Sequence, residues 1–138
     1  MSRSFVPLFA VSVIVTIASA VAAEAPNWTG EYANKKFLKG KAVFQMSLEQ
    51  KGNDVSVWFS AVQNDGQGPA PEADGIGKVS SKGIVQFRFE DNLKNAGTGT
   101  ITRAGDELVV SVKTTRVGDP RCMAFYESEI RVKRAGKK

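Results

Sequence analysis

The stretch from Gly83 to Thr102, GIVQFRFEDNLKNAGTGTIT, constrains the fold more than any other part of the chain. Its first half alternates: Val85, Phe87 and Phe89 share one face, while Gln86, Arg88 and Glu90 share the other. Period 2 is the pattern of a strand with one buried and one wet side. The polar break over residues 91–96 turns the chain. The second half then sets Thr98, Thr100 and Thr102 opposite Gly97, Gly99 and Ile101. Two glycines on one face of a strand cost backbone entropy, so a neighbouring group must need the room. The simplest account is a ring, Phe87 or Phe89, lying across the bare backbone of the partner strand. The hairpin sets the pattern for an all-β protein.

Residues before and after it repeat the pattern. Residues 27–32 read as a first strand with Trp28, Gly30 and Tyr32 on one face. Residues 42–50 place Phe44, Met46 and Leu48 inward, and Val55, Val57 and Phe59 form the inner face of a third strand, with Trp58 outside. A short fourth strand is expected over 76–79, one with Leu108, Val110 and Val112 inward over 107–115, and a long last one over 122–134. Turn-forming residues at 51–54, 80–83 and 104–106 mark tight connections. Residues 33–41, 63–75, 91–96 and 116–121 are the longer, more polar ones. About eight strands joined this way predict a small antiparallel up-and-down β-barrel, which can close and so remove its exposed edges; a two-sheet β-sandwich is the alternative.

In a meander, successive connections alternate between the two ends of the barrel. All four long loops therefore gather at one end and the three tight turns at the other. Binding residues are disproportionately found on loops held by a rigid scaffold. The candidate partner-binding residues are accordingly Lys35, Lys36, Phe37 and Lys39 of the first loop, Asp65, Glu72 and Asp74 of the second, and Arg116 and Arg121 of the last. Phe37 is expected to protrude as an apolar anchor among the lysines, with a loop that tucks its apolar pair under itself as the competing expectation.

Compartment follows from the first residues. Arg3, an apolar run over 5–17 and small residues over 18–23 have the order of a secretory signal peptide, here assigned to residues 1–23, with a single domain over 24–138. No second apolar run follows, so the mature chain is expected to carry no transmembrane segment and to be periplasmic or secreted. Loss of Arg3 takes the net charge from +5 to +4, a mild excess that suits an acidic protein or an anionic envelope component. Nucleic acid is not expected, since no basic-aromatic platform is present.

Catalytic chemistry is thinly represented. The chain has no histidine and one cysteine, Cys122, so the commonest general base, an imidazole-activated thiol and an internal disulfide are all missing. Cys122 reads as a buried apolar thiol. Loop carboxylates are usually solvated, and residues 65–74 lack the pattern of a calcium loop. No catalytic residue, metal or cofactor is assigned.

The residues Trp28-Thr29-Gly30 with Tyr32 resemble the opening of calycin-like barrels, the group of lipocalins and avidin-type proteins, whose Trp-bearing first strand packs against the barrel floor. Small exported barrels that inhibit lysozymes and proteases are similar in size and layout. The resemblance implies a binding protein. The function expected is non-enzymatic, extracytoplasmic binding through the long-loop end, of inhibitor or accessory type. The alternative is a carrier of a small apolar ligand in a pocket lined by Gly97, Gly99, Phe87 and Phe89. Bulky inward residues such as Phe44, Phe59 and Leu108 oppose that alternative, since eight short strands leave little interior space.

Overall fold

The computed structural model describes residues 27–126 and 129–135. The proposed signal peptide lies outside the described residues. Among the described residues eight strands form: β1 Gly30–Lys36, β2 Ala42–Lys51, β3 Asp54–Gln63, β4 Glu72–Val79, β5 Val85–Asp91, β6 Ala96–Ala104, β7 Glu107–Arg116 and β8 Ile130–Arg134. Each pairs antiparallel with the next, and β8 returns to β1, giving a closed barrel in sequence order. The expected up-and-down barrel is what this sequence folds into, and the sandwich is not.

Alternation drives the wall. Along β5 every other residue, Val85, Phe87, Phe89 and Asp91, is buried, and the residues between are exposed. The three tight turns carry Gly52, Gly83 and Gly105 at φ of 65°, 75° and 67°, the left-handed conformation that glycine adopts without Cβ strain. The interior is aromatic. Phe59 sits at its centre, with ring centroids 5.2 Å from Phe89, 5.5 Å from Phe44, 6.1 Å from Tyr126 and 6.4 Å from Phe87.

At the tight-turn end Trp28 closes the floor, only 1 % exposed. Its backbone N–H donates to Gln50, and the Arg103 guanidinium lies 4.2 Å from its ring centroid. Tyr32 donates its hydroxyl to the Trp28 carbonyl at 2.8 Å.

Several boundaries differ from those read in the sequence. β1 runs on through Lys36, so Lys35 and Lys36 lie on a strand rather than in a loop. β4 begins at Glu72, so Glu72 and Asp74 are strand residues too, and Asp74 pairs in register with Trp58 and Glu90. The largest correction is the last strand. Pro120–Cys122 is a 3₁₀ turn, Met123–Tyr126 is a short helix, and among the described residues of that stretch only Ile130–Arg134 forms a strand. Asp119 caps the turn by accepting from the Arg121 backbone N–H, and Pro120 follows it at the first helical position. Strand β8 therefore pairs only with Glu107 to Val110 of β7. Residues 122–126, expected in that strand, are folded across the barrel mouth instead.

Candidate functional site

All four longer connections do emerge at one end, and hydrogen bonds brace each to the next. Asn64 donates its side-chain amide to the Gly40 carbonyl. The Asn92 side chain accepts from the Glu72 N–H at 2.8 Å, and the Asn95 side chain accepts from Gly118 and Asp119 N–H at 2.8 and 3.0 Å. Phe125 and Tyr126 of the short helix seal the mouth. Phe125 is 1 % exposed and stacks 6.3 Å from Phe37, which in turn meets Phe44 at 5.5 Å.

Beneath this plug lies a polar network inside the apolar core. Asp91 is 6 % and Asn95 0 % exposed. Asp91 Oδ1 accepts from the backbone N–H of Leu93 and Asn95, and its Oδ2 accepts from Asn95 Nδ2 and the Tyr126 hydroxyl, all at 2.8–2.9 Å. Buried polar groups are tolerated when fully paired, and here each oxygen has two donors. Burial, followed by the hydrogen bond to Asp91, pushes the Tyr126 phenol well above its ordinary range. Burial likewise raises Cys122, which is fully enclosed and stays a protonated thiol. Its expected role as a small buried group matches its place beneath the plug.

Phe37 is the principal correction among the candidate residues. It is 6 % exposed and belongs to the core, so it is no protruding anchor. The competing expectation, a loop that folds its apolar residue under itself, is what forms, because the open mouth needs a ring there. Arg116 and Arg121 are committed within the chain: Arg116 to Glu90 and to the Lys94 carbonyl, Arg121 to Asp119. Glu72 accepts from the Trp58 indole N–H, and Asp65 accepts from the Gln67 N–H two residues on.

What the structure does bring together is the basic part of the first loop. Lys36, Lys39 and Lys41 line an open groove of about 510 Å³ with Asn34, Leu38, Arg131 and one carboxylate, Glu129, which Arg131 meets at 3.7 Å. Among the described residues the three lysines have no ion-pair partner. Arg131 and Asn34 were missing from the sequence reading. They face each other only because β8 passes β1, where Asn34 Nδ2 donates to the Arg131 carbonyl across 97 residues of chain. The turn that presents Lys39 is strained: Leu38 and Lys39 hold φ of 55° and 60°. Such a conformation costs about 1–3 kcal/mol in a residue other than glycine and accumulates at functional sites.

The glycines named for an interior pocket have another task. A Cβ on Gly99 would come within 2.6 Å of Phe87 Cε1 and 2.9 Å of the Ser111 carbonyl oxygen, so Gly99 seats the Phe87 ring. One on Gly97 would meet the β7 backbone, 2.9 Å from Thr114 Cα, beside the bulge that shifts the β6–β7 register. Phe89, opposite Gly97 in register, packs against Phe59 and Tyr126. Gly99→Leu is therefore expected to destabilise the fold by overpacking, by about 1–3 kcal/mol, and to create no ligand affinity to lose. Chemical denaturation and titration with an apolar fluorophore check both halves; saturable fluorophore binding abolished by the substitution would favour the carrier.

No family model, curated protein or solved structure matches this chain. The fold itself defines the class, a closed eight-stranded antiparallel β-barrel with one end finished in tight turns and the other plugged.

Proposed function

We propose that this is a non-enzymatic, extracytoplasmic binding protein of calycin-like type, which contacts a protein or anionic envelope component with the Lys36–Lys39–Lys41 side of its plugged end. The observation that carries the reading is the strained Leu38–Lys39 pair. A tight turn with successive positive φ values favours asparagine and glycine. Leucine and lysine there give up stability, and what is gained is a lysine projecting beside two others on a rim braced from below. The filled interior supports surface contact over carriage of a ligand, and Trp28 at the barrel floor supports the calycin likeness. An inhibitor or accessory role fits a rigid rim of this kind.

The test is capture of partners from an envelope fraction by the tagged protein. Capture should weaken as salt rises, since exposed charges are screened. It should be lost on Lys36→Glu with Lys39→Glu and kept on Lys82→Ala, at the opposite end. Leu38→Gly should raise stability by about 1 kcal/mol through relief of the positive-φ strain, while weakening capture. Capture indifferent to all the rim changes would sink the proposal.

A further inference from the structure

A second groove, of about 1000 Å³, runs across the outer face of strands β3 to β7, away from the lysine rim. Register explains its shape. On each strand three consecutive residues line it, and the middle one points into the barrel: Val55, Gly77, Phe87, Gly99 and Val112 are cross-strand neighbours in one row. Their backbone is the floor. The outward residues to either side form two parallel walls. Gly77 and Gly99 flank Phe87 in register, and the Phe87 side chain takes the inward space that theirs would fill. A Cβ on Gly77 would lie 2.7 Å from Phe87 Cβ.

The walls have a definite chemistry. One carries Ser56, Ile76, Arg88, Thr98 and Lys113 in register; the other carries Asp54, Lys78, Gln86, Thr100 and Ser111. Lys78 is paired with Asp54. Among the described residues Arg88 and Lys113 have no ion-pair partner, and they stand two strands apart, about 10 Å, on either side of Thr98. Hydroxyls and an amide face them across the floor. Ile76, 66 % exposed, adds an apolar patch on the same wall.

We propose that this groove binds an extended, carboxylate-bearing glycan chain, laid across the strands. Five strands give it a length of about 19 Å, room for several sugar rings. Arg88 and Lys113 would take carboxylates spaced along the chain, Thr98, Thr100, Ser111 and Gln86 would exchange hydrogen bonds with ring hydroxyls, and Ile76 would meet the C–H face of a sugar. Charge complementarity names an anion. The floor argues for a glycan over an acidic peptide: at Val55, Gly77, Phe87 and Gly99 the strands are paired on both sides, so a peptide finds no backbone edge to extend.

Polygalacturonate is the probe, with dextran as the neutral comparison and polyglutamate as the anionic peptide, each titrated calorimetrically into the protein. Binding of polygalacturonate alone is expected, falling with salt, and about ten-fold or more weaker after Arg88→Gln with Lys113→Gln. Thr100→Tyr should also abolish it by filling the groove with both cations in place. Lys36→Glu with Lys39→Glu should leave it unchanged, so that this site and the rim succeed or fail separately. Equal binding of polyglutamate would reduce the groove to a general anion surface, and no preference over dextran, or binding that survives both groove variants, would overturn the proposal.

Discussion

Asp91→Ala should destabilise the barrel by at least about 3 kcal/mol, because it strands three buried donors and a partly buried one at once, each buried donor costing about 1–3 kcal/mol when left unpaired. Those donors are the N–H groups of Leu93 and Asn95, the Asn95 amide and the Tyr126 hydroxyl. The loss is not confined to one turn. Asn95 also holds Gly118 and Asp119, so the connection that plugs the mouth loses its anchor along with the β5–β6 turn. Tyr126→Phe should cost less, about 1–3 kcal/mol, since a single hydrogen bond goes and the ring stays in place. The two variants also separate by pH. The folded state raises the phenol of Tyr126 above its unfolded value near 10, so the native chain binds the proton more tightly. That contribution is present below pH of about 10 and is lost as pH rises beyond it, while Tyr126→Phe should show a shallower alkaline decline. Denaturation midpoints followed from neutral to alkaline pH measure both effects; a Tyr126→Phe profile parallel to the parent would show that the hydroxyl is not the titrating group.

Phe59→Ala should cost about 3–5 kcal/mol, the range for deleting a large ring from a closely packed core. Phe59 is 1 % exposed and touches four other rings, from Phe44 on β2 to Tyr126 in the plug. A barrel closed around its circumference cannot collapse into the void as two sliding layers can, so the cavity should persist. The urea midpoint should fall with little change in slope, as expected when packing is lost and the folded topology is kept. A loss below about 1 kcal/mol would mean that the neighbouring rings refill the space, contrary to the rigidity argued here.

Local residue order determined the wall of this protein. Alternation in β2, β3, β5 and β7 marks the inward faces, because successive side chains of a strand point to opposite sides whatever lies beyond. The turn residues marked the tight connections, and with them the gathering of long loops at one end. Gly97 and Gly99 announced a crowded site, and Gly99 proved to seat Phe87. Tertiary contacts decided the rest. Cys122, Ala124 and Tyr126 have the spacing of a strand, but the mouth had to be covered, and a helical turn brings the adjacent residues Phe125 and Tyr126 inward together. Tyr126 finds Asp91 across 35 residues of chain, and Asn34 finds the Arg131 carbonyl across 97. Arg88 and Lys113 share a row only through the register of β5, β6 and β7. Periodicity reports which side a residue faces; closure and register, built from contacts distant in the chain, decide which residues face it together.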